Sequence, residues 1–165
     1  MVSVQDKYIS TKCTEIEDLL RESKNWAGAD AKLGAHLATY INVMILGMLE
    51  VCFEYLVEER AGKPGDLEIK RYIAKDIENR FRNPNYGQIC GILGQFSDTY
   101  KDEFQKTFDS NCLEIEALRS ILENKKNAAH YGLANLKLSI SDVEAYFKGV
   151  LRILEKLEDL LIMHP

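Results

Sequence analysis

The sequence predicts an all-α protein, an antiparallel helical bundle of four main helices with short extra ones, formed as a single domain over residues 1–165. Three observations carry this. Apolar side chains recur at helical spacing in every long segment. Only three prolines and ten glycines interrupt 165 residues, too few for a fold built from many turns. A capping box, Ser141-Asp142-Val143-Glu144, stands immediately before the last apolar run. With 46% hydrophobic and 28% charged residues, the chain has the composition of a globular domain with a real core.

The first helix is expected over Val4 to Asn25, where Val4, Tyr8, Ile9, Cys13, Ile16, Leu19 and Leu20 alternate with charges. Its CTEIEDLL is similar to CLEIEALR at Cys112 to Arg119, but the flanks do not continue the likeness, so no repeat is inferred. The longest element runs from Asp30 to Arg60 and stops at Gly62 and Pro64. Its apolar residues cover more than one face, so it is expected at the centre of the bundle. Gly34 and Gly47 inside it cost helix propensity, and close approach of another backbone is the expected reason. Tyr40 to Val57 is the most membrane-like stretch, but Asn42, Glu50 and Glu54 interrupt it, so it reads as a core helix and no membrane partner is expected. Glu50 is either a hydrogen-bonded structural carboxylate or a site carboxylate.

Asp66 is positioned to cap a third helix through Arg82, and Asn83-Pro84-Asn85 breaks the chain. Two short helices follow, Tyr86 to Phe96 and Asp98 to Phe108, with Ser97 capping the second. Asn111 is expected to cap the next helix, and Gly132 to stop it in a left-handed turn. After a linker, Leu133 to Ile140, the last helix is expected over Val143 to Ile162. The predicted core includes Leu37, Ile41, Met44, Ile45, Leu49, Phe53, Leu118, Ile121, Leu122, Phe147, Val150, Leu154 and Leu157.

A net charge of −5 argues against a protein that coats nucleic acid non-specifically, while leaving room for a local basic site. The four cysteines, Cys13, Cys52, Cys90 and Cys112, show no zinc-ligand spacing and read as reduced, buried side chains of a cytoplasmic protein. The N-terminus has no basic region followed by an apolar run, so no signal peptide is expected. No metal or cofactor motif is present; a glycine-rich phosphate loop, HExxH and GxSxG are all missing.

Chemistry concentrates in Arg119 to Gly132, RSILENKKNAAHYG. On a helix Lys126 precedes His130 by one turn, Asn127 sits beside Lys126, and Arg119 lies three turns back, roughly 16 Å from His130 and about 20° off its line. A histidine at a helix C-terminus is ordinarily a dipole partner, and lysine runs are ordinarily solvated. The combination has a sharper use. An imidazole moves a proton near neutral pH, cations hold a phosphate and asparagines orient it, which suits metal-free cleavage of RNA by its own 2′-hydroxyl. His36 and His164 are remote in sequence, so the complementary group has to come from elsewhere in the fold or from a second subunit.

The order LGMLEVCFEYLVEE, RNPNYGQICGILGQF, LRSILENKKNAAHYG, LSISDVEAYFKGVLRIL resembles the HEPN superfamily of small helical bundles, most of all its RiboL-PSP-HEPN branch, over Asp30 to Leu161. The resemblance implies a metal-independent endoribonuclease acting as a homodimer. Two copies of an arginine, a polar residue and a histidine pair across the interface, in a toxin–antitoxin or phage-defence setting with an antitoxin or defence-system protein as possible partner. Carried over, the histidine falls on His130, while the arginine window holds Glu123, Asn124 and Lys125. Lys125 is thus the nearest cation and Lys126 takes the polar position. The implied catalytic set is His130, Lys125 and Asn127, with Lys126, Asn124 and Arg119 binding RNA and Glu50 behind them. Lysine supplies charge without the bidentate guanidinium fork. That departure favours the rival reading, a non-catalytic domain that dimerises and binds RNA, a nucleotide or a protein. A purely structural adaptor would leave His130 without a role.

Overall fold

In a computed structural model, residues 4–27, 30–62, 76, 82–131 and 138–163 are described. They form helices α1 (Lys7–Ala27), α2 (Ala31–Gly62), α3 (Tyr86–Phe96), α4 (Asp98–Thr107), α5 (Leu113–Tyr131) and α6 (Ile140–Glu158), the last continued by one π-helical turn, Asp159–Met163. There is no strand among the described residues. The expected third helix, Asp66 to Arg82, falls outside the described residues except for Asp76 and Arg82, as do Pro64, Gly132 and most of the following linker.

Asp6 sets the start of α1 by accepting the Tyr8 and Ile9 amides on Oδ1, which leaves Val4 buried ahead of the helix rather than within it. Tyr8 then stacks on Tyr55 of α2 at 4.7 Å between ring centroids. Tyr55 also donates its hydroxyl to Asp6, so α1 runs antiparallel to α2. The other end of the chain closes on the same point. Glu158, almost fully buried, accepts the Gln5 and Asp6 amides at 3.2 and 2.6 Å. At the far end Lys24 of α1 meets Glu144 of α6 at 2.8 Å, and this hydrogen bond holds the Glu144 carboxyl below its ordinary pKa.

Helices α1, α2, α5 and α6 enclose one core in which Ile41, Ile45, Leu49, Phe53, Leu118, Ile121, Phe147, Val150, Leu154 and Leu157 are buried as predicted. Leu37 and Leu122 are only partly buried, and Met44 is not a core residue, being 39% exposed on the outer face of α2. α2 is long and apolar enough to span a membrane, but 56% of its most apolar window is buried inside the bundle. Asn42, wholly buried, pins α2 to α5 by donating Nδ2 to the Ile121 carbonyl at 3.0 Å.

Two boundaries differ from expectation. The last helix opens at Ile140, capped by Ser139 and Asp142 rather than by Ser141 and Glu144. The earlier start places Ile140 in register with Val143 and Phe147, all buried, and frees Glu144 for Lys24. Asn111 does not cap α5. Asp109 takes the Asn111 amide on its side chain and the Cys112 amide on its carbonyl, and this turn delivers Cys112 to the flanking position. Ser97 caps α4 as expected, and Asn85 forms a full capping box with Gln88 at the start of α3.

Among the described residues, nothing beyond Gly47's own stretch of helix comes within 4 Å of where its Cβ would stand, so they do not make the expected close approach there. It is made at Gly149 of α6, where a Cβ would lie 2.8 Å from that of Ala117.

Candidate functional site

The site is assembled from α5, the turn before α3, and α2. Leu122, Lys125, Lys126 and Ala129 follow one another at spacings of three and one on a single face of α5. With Asn83 and Asn85 they line an open concavity of about 470 Å³. Its position is fixed by Asn83, the only described non-glycine residue with positive φ, at 58°. Asparagine tolerates this left-handed turn better than most side chains. The turn aims the Asn83 amide at Glu50 Oε1, 2.6 Å away, and leaves its Oδ1 to accept from Lys125 Nζ at 2.6 Å. A chain Glu50–Asn83–Lys125 thus joins three segments distant in sequence. Glu50 is half-buried and hydrogen-bonded.

Of the sequence-predicted residues, Lys125 and Lys126 are brought together on the groove, the first half-buried and the second exposed. His130 is exposed, one turn beyond Lys126 in the last turn of α5, where the helix dipole favours a cation. Asn127 and Asn124 are not brought in. At 100° per residue both stand about 150° round the helix from the centre of the groove face. Arg119 lines an adjoining cleft of about 140 Å³ that shares Asn85 and Leu122 with the groove; it pairs with Glu116 and donates to the Ser110 carbonyl at 3.0 Å. Among the described residues no three His, Cys, Asp or Glu side chains gather as a metal-binding group.

Sequence reasoning did not single out Asn83 and Asn85 as site residues. The signal was available, since an Asn-Pro-Asn break often places an asparagine in a left-handed turn, but nothing in one sequence says which helix that turn faces. The arrangement offers two ammonium groups on an open surface, amides beside them, and an imidazole at the helix end. Those are the parts for holding a phosphodiester and moving a proton next to it. No family model, no curated protein and no solved structure matches the chain.

Proposed function

We propose that this protein binds single-stranded RNA along the Lys125–Lys126 groove and cleaves it without a metal ion, with His130 taking the 2′-hydroxyl proton and the lysines stabilising the charge on phosphorus. The observation that supports this reading is the groove itself, with two cations and two asparagines lining one concavity, and an exposed histidine one turn beyond Lys126 on the same helix, outside that lining. The complementary acid comes from the same groove or from the motif of a second copy, and the subunit contact decides between them. The resemblance to HEPN ribonucleases points the same way and suggests a toxin or phage-defence role with an antitoxin or other defence protein as partner.

A second reading has its own support. Lys125 is occupied by Asn83 and lacks the arginine fork, which suits a non-catalytic module that grips RNA without cutting it. Incubation with single-stranded RNA and DNA in EDTA separates the two. Catalysis requires that RNA alone be cut, that His130→Ala abolish the cut, and that Lys125→Arg raise the rate. RNA retained but uncut by the wild type and both variants establishes the binding module instead.

A further inference from the structure

The cleft that meets the groove at Asn85 and Leu122 differs from it in kind. Ile115, Leu118 and Leu122 line it from a single face of α5, and Tyr86 and Gly87 line it from the first turn of α3. Ile115 and Leu118 are buried, so its floor is apolar, and Arg119 is the one cation on its lining. Its volume is about 140 Å³. An apolar space of about 150 Å³ holds one six-membered ring.

Gly87 keeps this space open. Glycine inside a helix is costly, and packing does not ask for one here. Beyond its neighbours and its own helix backbone, the only described atom within 4 Å of where its Cβ would stand is Asn85 Oδ1, at 3.4 Å. Gly87 is exposed and lines the cleft, so a longer side chain there takes up part of it. The rest of the lining is held in advance. Tyr86 donates its hydroxyl to the Phe108 carbonyl at 3.0 Å, and Arg119 is tied to Glu116 and to the Ser110 carbonyl.

We infer that the cleft receives one unstacked pyrimidine base of the RNA strand lying in the groove and rejects the larger purines. The inference rests on the RNA reading of the groove and names the base that this reading leaves open. Arg119 and Lys126 are seven residues apart on one line of α5, roughly 10 Å, so a strand whose phosphate lies on Lys125 and Lys126 brings a neighbouring base to the cleft. Contact between the face of a ring and an apolar or aromatic wall is open to every base, so size makes the choice. A purine adds a second fused ring, and a single methylene too many in an apolar pocket already discriminates by about tenfold or more. Arg119 adds a polar element. The N–H groups that Glu116 and Ser110 do not take suit the C2 carbonyl that uracil and cytosine share and adenine lacks.

Free nucleosides test the cleft without the groove. Uridine and cytidine should shift the Gly87 and Tyr86 amide signals in heteronuclear NMR spectra, and adenosine should do so at least about tenfold more weakly. Gly87→Leu, with unchanged helical circular dichroism, should abolish the pyrimidine response, and Gly87→Ala should fall between. Fluorescence anisotropy with oligouridylate and oligoadenylate then tests the strand. The wild type should prefer oligouridylate by about tenfold or more, and Gly87→Leu should lose that preference while binding oligoadenylate as the wild type does. Uridine that leaves the Gly87 amide unmoved, or adenosine that moves it equally, overturns the inference whatever the oligonucleotides do. An oligouridylate preference that survives Gly87→Leu overturns it as well. Uridine shifts without any oligonucleotide binding would fail the RNA reading alone and leave the base pocket standing.

Discussion

Lys125 and Asn83 are clasped across 42 residues of chain, the lysine Nζ donating to the asparagine Oδ1 at 2.6 Å. The same asparagine donates its backbone amide to Glu50, so one turn both shapes the groove and holds one of its two cations in place. A lysine side chain left free forfeits about 2 kcal/mol of rotamer entropy when it is fixed on a ligand. The clasp takes part of that loss in advance.

Two substitutions at Asn83 separate backbone from side chain. Asn83→Ala loses the clasp and also forces a Cβ-bearing residue without a compensating polar group into φ 58°, a cost of about 1–2 kcal/mol in stability. Asn83→Gly keeps the turn and the amide bond to Glu50 but releases Lys125. Denaturation should therefore show alanine as the less stable variant, while RNA binding by fluorescence anisotropy weakens in both by the worth of one hydrogen bond, about 0.5–1.5 kcal/mol. Equal stability of the two variants contradicts the strain argument; unchanged affinity in Asn83→Gly contradicts the role of the clasp.

The buried thiols predict an alkaline weakness. Burial pushes Cys13 and Cys52 up to about 12 from an ordinary value of 9.0. Their folded-state pKa values are raised, so the folded chain keeps protons that the unfolded chain releases. Stability from these groups is complete below pH 9 and drains away as pH rises toward 12, by less than about 1.4 kcal/mol per thiol per pH unit. Urea midpoints should fall between pH 8 and pH 10.5, and Cys52→Ala should flatten the decline. In native protein at pH 8 a thiol reagent should modify the half-buried Cys112 well before Cys13 or Cys52. A flat alkaline limb, or rapid modification of Cys13, refutes this account.

Much of the fold is legible in the sequence because helical period, caps and breaks are local signals. α2 is announced by its apolar run, α4 by Ser97, and His130 falls in the last turn of α5 as its spacing implies. What fails is decided by neighbours that the sequence does not name. Ser139 and Ser141 are equally good caps until burial of Ile140 selects between them. Met44 has the same helical credentials as Ile45, but only the packing of α1, α5 and α6 says which face of α2 is covered. The site is legible only in part. Lys125, Lys126 and His130 share a helix, whereas Asn83 joins them through a tertiary contact; Asn124 and Asn127 are near in sequence yet face elsewhere, and Arg119 lines the adjoining cleft.

Glycine shows the same limit and gives the last prediction. Inside a helix, replacing glycine by alanine ordinarily stabilises by about 0.5–1 kcal/mol. At Gly149 the sign should reverse. A Cβ there would meet the Ala117 Cβ at 2.8 Å and the Glu114 Cα at 3.4 Å, so α5 and α6 would have to separate. Overpacking of this kind costs about 1–3 kcal/mol, which exceeds the propensity gained. Ala117→Gly removes the methyl on the other side of the contact. Alone it should destabilise, since it adds a helix-interior glycine and leaves a gap; combined with Gly149→Ala it should recover much of the loss, because the pair only exchanges which helix supplies the methyl. Urea denaturation of the two single variants and the double closes the cycle, with a coupling energy that favours the double over the sum of its parts. A neutral or stabilising Gly149→Ala, or a double variant no better than additive, would show that the helices are free to move apart and that Gly149 does not set their spacing.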